Sequence, residues 1–163
     1  MNGREVPMVL PIPNRFALVT GRAEGETPLT AFDAALLDAG VANVNLVKVS
    51  SILPPGAQPL ERLALPPGAL VPIAYGRLVS AEPGTRIAAA VAVGRDEPGR
   101  FGMIMEHTAY ASASEVEATI RRMVEESFVV RGGRPREILV RSVEHVVARC
   151  GCVFAGCVLW YGA

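Results

Sequence analysis

Apolar residues run through this chain in two rhythms. Short, nearly continuous apolar stretches predict strands: RFALVTG from Arg15, VNLVKV ending at Val49, LVPIAYGRLV from Leu70, RIAAAVAVG from Arg86 and FGMIMEHTAY from Phe101. EILVRSVEHVVA from Glu137 and CVFAGCVLWY from Cys152 follow the same rule, joined by a tight turn near residues 149–151. Two other segments repeat at helical spacing. Thr27 and Pro28 open the first, as N-cap and first helical residue, and Gly40 stops it. Ser112 opens the second, with Glu115 at capping-box spacing, the spacing that also separates Ser114 from Glu117. Val116, Ile120, Met123, Val124 and Ser127 form its stripe, and Gly132-Gly133 ends it. Glu82-Pro83-Gly84 and Glu97-Pro98-Gly99 are turn sequences between strands. Several strands and two helices predict an α+β fold with the helices covering the sheets. No domain boundary stands out, so a single domain is expected. Residues 54–68 are the expected exposed connection.

Two acids break the pattern. In the first helix, Leu29, Phe32, Leu36 and Leu37 make an apolar stripe, and Asp33 falls inside it. Asp38 falls on the opposite side, where a solvated acid belongs. A buried Asp33 needs a partner. Either it pairs with one of the many arginines, or it lies at a stripe edge that reaches water, or it is a binding carboxylate in an apolar pocket suited to a cation. In GMIMEHTA, Met103 and Met105 share one strand face, and Ile104 and Glu106 share the other. A glutamate beside Ile104 is either a solvated strand end or a desolvated acid whose raised pKa suits proton donation. His107, on the other face, reads as a satisfied or exposed histidine and His145 as structural.

Composition narrows the classes. The chain has 163 residues, 50% hydrophobic and 20% charged, with a formal net charge of zero. That is an ordinary globular balance with no basic block, which argues against nucleic acid or an anionic membrane as a partner. No apolar run is long enough to cross a bilayer, and MNGREVPMVLPIP is too short and proline-broken for a signal peptide. A cytoplasmic location is the expectation. Cys150, Cys152 and Cys157 are odd in number and lack a CxxC pair, so they read as core thiols, neither disulfides nor metal ligands.

The most specific stretch is NLVKVSSILPPG, from Asn45 to Gly56. Adjacent Ser50 and Ser51 are either a polar strand end or a reactive pair. Pro54 and Pro55 stiffen the exit and the strand stiffens the entrance. A peptide so clamped could place Ser51 Oγ against the Ser50 carbonyl, with an amide such as that of Asn45 to stabilise the oxyanion.

This stretch, with AFDAALLDAG before it and GALVPIAYG, MIMEH and VEHVVARCGCVFAGCVLWY after it, resembles the pyruvoyl-dependent arginine decarboxylases. The resemblance covers most of the chain, from about Phe16 to Tyr161. It implies a four-layer αββα sandwich that cuts itself between Ser50 and Ser51. Residues 1–50 would form the β chain and residues 51–163 the α chain, with Ser51 converted to the pyruvoyl cofactor. It implies that Asn45 acts near the cleavage site, that Asp33 holds the substrate guanidinium and that Glu106 donates a proton. Leu36 and Ile104 match apolar pocket positions. The implied assembly is a homotrimer of αβ units, or two such trimers, with sites between subunits. The implied reaction turns arginine into agmatine and carbon dioxide. The sequence departs from the family glycine at Ala42. Two alternatives stay open: the same chemistry on another amino acid, or an uncleaved trimeric binding protein without catalysis.

Overall fold

The computed structural model describes residues 10–162. The expectation about a signal peptide rests largely on residues outside that range. Nine strands and two helices are present among the described residues. Strands β1 (Arg15–Glu24), β2 (Asn45–Lys48), β4 (Gln58–Pro59), β5 (Leu70–Ser80) and β9 (Gly151–Trp160) form one sheet, in the order β2-β5-β9-β1-β4. Strands β3 (Ile52–Leu53), β6 (Arg86–Arg95), β7 (Gly102–Ala109) and β8 (Glu137–Val146) form the second, in the order β3-β7-β6-β8. Helix α1 (Pro28–Asp38) packs on β1, β5 and β9, and α2 (Ala113–Val129) packs on β6, β7 and β8.

Side-chain size assigns the two faces of the central strands. On β6, Ile87, Ala89, Val91 and Val93 point into the core shared by the sheets, where they meet Val153, Ala155, Cys157 and Leu159 of β9. The alternate residues Ala88, Ala90 and Ala92 lie under Val116, Ile120, Val124 and Phe128 of α2. A strand buried on both faces loses the polar alternation of a half-exposed one, which is why RIAAAVAVG reads as a continuous apolar run.

Both helices start as expected. Thr27 and Ser112 each close a capping box, with Thr30 and Glu115 as partners. Ser114 and Glu117 share the spacing but lie inside α2, where Glu117 instead bonds Ser142 Oγ at 2.5 Å. Thr85 N–H bonds Glu82 C=O and Arg100 N–H bonds Glu97 C=O, closing two Pro-Gly turns with Gly84 and Gly99 at φ 81° and 82°. Ala42, where the resemblance implies a glycine, has no positive φ.

The apolar stripe expected on α1 is only half buried: Phe32 and Leu36 pack toward the first sheet. Ala31 and Ala35 are its buried residues, while Leu29 and Leu37 are 71% and 65% exposed. The cause is close approach: a Cβ on Gly21 of β1 would lie 2.0 Å from Ala35 O. Only small residues fit between helix and sheet at that point, and Leu29 and Leu37 point outward. Asp33 goes with them and is exposed. Asp38 is exposed, as expected, and its carboxylate also accepts a bond from Arg22 N–H at 2.9 Å.

The last two strands are joined by a short connection, as expected, and lie in different sheets: β8 in the second and β9 in the first. The short segment between them crosses from sheet to sheet.

Candidate functional site

The double serine occupies a second crossing of the same kind. Strand β2 is the edge of the first sheet and β3 the edge of the second. Beyond β2, Val49 N–H bonds Ile73 C=O at 3.0 Å; before β3, Ile104 N–H bonds Ser51 C=O at 2.7 Å. The Ser50–Ser51 peptide is therefore strung across the gap between two sheet edges and pinned at both ends. Ile52↔Met103 and Leu53↔Gly102 pairing carries the far anchor. Pro55 and Gly56 (φ 74°) then turn the chain, closed by Ala57 N–H to Pro54 C=O, toward β4 on the opposite edge of the first sheet. The clamp is thus mainly a strand pairing, and the prolines serve the return.

Glu106 follows on the same face of β7 as Ile104. Its Oε2 is buried without a hydrogen-bond partner. Burial pushes its carboxyl above the usual range, and the nearby Lys48 charge offsets part of that rise. The room it uses is left by a glycine: a Cβ on Gly76 would lie 3.5 Å from Glu106 Cγ and 3.2 Å from Thr108 Cγ2. The Cys157 thiol also feels the Glu106 charge; burial first, then that charge, pushes it up to about 12. Lys48 Nζ sits 4.6 Å over the Tyr75 ring, which stacks on Phe32 at 6.3 Å. Arg77 lies 4.4 Å over the other partner of that stack, Phe32.

Within one chain the remaining candidates stand apart. Asp33 carries no hydrogen bond or ion pair among the described residues and lies on the outward stripe of α1. Asn45 starts β2, where Nδ2 donates to Gly68 C=O at 3.2 Å. Five extended residues, about 16 Å, separate it from Ser50, so it does not reach the oxyanion position of its own chain. Leu36 packs in the cluster between α1 and the first sheet, whereas Ile104 is fully buried between the sheets. The two do not line one pocket. A cavity of about 290 Å³ does lie beside the segment that follows the serines, walled by Leu53, Pro54, Arg95, Asp96 and Glu137, but none of the candidate residues lines it. Cys150, Cys152 and Cys157 are buried free thiols.

Sequence reasoning missed Lys48, Gly76 and the Ile104 N–H. Lys48, two positions before Ser50, was the legible signal, because it is the chain's single lysine.

Residues 15–162 match the family described as pyruvoyl-dependent arginine decarboxylase. The chain is 47% identical over 151 residues to the pyruvoyl-dependent arginine decarboxylase of Methanocaldococcus jannaschii, covering 92% of each protein. The enzymes of the same name from Methanococcus maripaludis (strain C6) and Pyrococcus abyssi are 40% and 44% identical. These matches span 91% of this chain and 92% of the first relative, and 83% and 87% for the second. The chain belongs to the pyruvoyl-dependent arginine decarboxylase family.

Proposed function

We propose that this member of the family cleaves itself between Ser50 and Ser51 and then decarboxylates L-arginine to agmatine. The carrying observation is the Ser50–Ser51 peptide, pinned on both sides as it spans the sheets, with a desolvated acid nearby on β7. Ser51 Oγ attacks the Ser50 carbonyl carbon, and the peptide nitrogen leaves, taking a proton. The bond between residues 50 and 51 becomes an ester. Ser51, half-buried and anchored through β3, has the identity and setting the cofactor needs.

The pyruvoyl group made from Ser51 supplies a ketone for the substrate amine and an electron sink for the departing carboxylate. The chain does the rest. Burial favours the protonated form of Glu106, which gives its proton to the substrate α-carbon. Asp33 pairs with the guanidinium through two parallel hydrogen bonds, a geometry that favours arginine over lysine.

Exposed Leu29 and Leu37 on either side of Asp33 support an assembly in which another copy covers this stripe. In a homotrimer of αβ units, or a pair of trimers, Asp33 would gain the apolar surroundings that a lone chain denies it. Asn45 would reach a Ser50–Ser51 peptide only from such a neighbour. The order α1, first sheet, second sheet, α2 supports a four-layer αββα sandwich forming a single domain. No helix among the described residues is long and apolar enough to cross a membrane, and the reading places the enzyme in the cytoplasm.

Denaturing mass spectrometry of purified wild type and Ser51→Ala tests the proposal. Wild type should give two fragments, the larger with a ketone at its N-terminus, and Ser51→Ala one full-length chain. Cleavage of Ser51→Ala at the wild-type rate would overturn it.

A further inference from the structure

The bond that anchors Ser51 is the last rung of a very short strand. Register runs Leu53↔Gly102 and Ile52↔Met103, and then a single 2.7 Å bond passes from Ile104 N–H to Ser51 O. On the opposite edge of β7, Ile104 pairs with Val93 of β6. Its side chain is fully buried between the sheets. The donor is thus rigidly held and aimed at one oxygen, the carbonyl oxygen of the residue that is to be consumed.

We propose that the Ile104 backbone N–H is a catalytic oxyanion donor for the step that converts Ser51 into the cofactor; the inference rests on the self-cleavage reading. Once the ester has formed, residue 51 carries a free amine and its Oγ is acylated by Ser50. The Ser51 Cα–H bond then breaks and the proton passes to water. The electron pair left behind forms the Cα=Cβ bond as the Cβ–Oγ bond breaks, and Ser50 leaves as a carboxylate. While that pair moves, negative charge spreads from Cα onto the carbonyl oxygen of residue 51, because that carbonyl is conjugated to Cα. A donor already at hydrogen-bond distance stabilises this charge with no reorganisation. The resulting enamine takes up water and releases ammonia, leaving the ketone. Oxidation state is conserved throughout, and water is the only co-reactant.

A plain ladder rung would show the same static geometry, so the test must separate the two steps. Replacing Ile104 in the full chain by its α-hydroxy-acid analogue removes the N–H and keeps the side chain. The ester at residues 50–51 should still form, but the ketone-bearing fragment should appear about a hundred- to a thousand-fold more slowly. Hydroxylamine should then split the accumulated chain at that ester, leaving unmodified serine on the larger fragment. Mass distinguishes these pieces from those of the engineered ester at residue 104. The variant Ile104→Pro removes the same donor, and because that N–H faces β3 it removes no β6–β7 bond; the same stall is expected. Wild-type kinetics of ketone formation in either variant would overturn the inference. So would equal slowing of both steps with no hydroxylamine-labile chain, the result expected of a structural rung. A wild-type chain that never splits would instead overturn the self-cleavage reading beneath it.

Discussion

Glu24 and Glu106 are both partly buried glutamates on strands, and the protein treats them oppositely. Glu24 ends β1, at the place where the chain crosses from β8 to β9. Its carboxylate accepts bonds from Ala148, Arg149 and Cys150 N–H at 2.9 to 3.0 Å and meets His145 Nε2 at 2.5 Å. Burial works to raise its pKa, but these donors outweigh burial and bring it down to about 2. Gly151 makes the arrangement possible, since a Cβ there would lie 2.7 Å from His145 Cδ2 and 2.8 Å from Glu24 Oε1. Glu106 has an orphaned Oε2, and its pKa goes up. Burial acts the same way on both; the presence or absence of donors decides the sign. One crossing between the sheets is therefore held by a carboxylate that its donors favour as the anion, whereas burial favours the protonated form of Glu106.

Removing the Glu106 acid should have the largest effect. Glu106→Gln is expected to self-cleave yet lower the single-turnover decarboxylation rate by roughly 10²- to 10⁴-fold. In wild type, rising pH strips the Glu106 proton as it passes the raised pKa, so the rate should fall on the alkaline side. The amide should flatten that limb, and near-normal turnover would remove Glu106 from the mechanism.

Glu24→Ala should act on stability and leave the chemistry intact. It strands three backbone N–H groups, an expected loss of about 2 kcal/mol by chemical denaturation. Between the ordinary carboxyl value of 4.5 and the folded value of about 2, the native state binds fewer protons than the unfolded chain. The contribution of Glu24 is thus full above the unfolded value and is lost as pH falls through that window. Glu24→Gln should flatten this part of the acid-unfolding curve; an unchanged curve would show that the crossing is locked by something else.

The smallest effect should come from Lys48→Met. Losing the positive charge removes the one influence that lowers the Glu106 pKa. The alkaline limb of the rate profile should move to higher pH, with cleavage retained. A limb that moves the other way would break the assignment of that limb to Glu106.

Much of this molecule was legible in one dimension. Helix starts were, because a capping box is a contact across three residues. The two-faced burial of β6 was, because continuous apolar runs mark strands covered on both sides. Ile104 and Glu106 were placed on one strand face by alternation alone. The orientation of α1 was not, because leucine outranks alanine in any hydrophobic count, whereas the gap above Gly21 admits only the alanines. The direction of the final β8–β9 connection was not, because a turn of that length serves a hairpin or a crossing between sheets equally well.

The double serine shows the division most clearly. By itself the sequence determined which peptide is special and which family the chain resembles, since those are properties of residue identity and spacing. Only the tertiary structure decided that this peptide bridges two sheet edges, that Ile104 N–H meets the Ser51 oxygen, and that Glu106 lacks the donors Glu24 enjoys. Those facts depend on segments about fifty to more than a hundred and twenty residues apart being brought within hydrogen-bond distance, or being kept out of it, by the packing of two sheets.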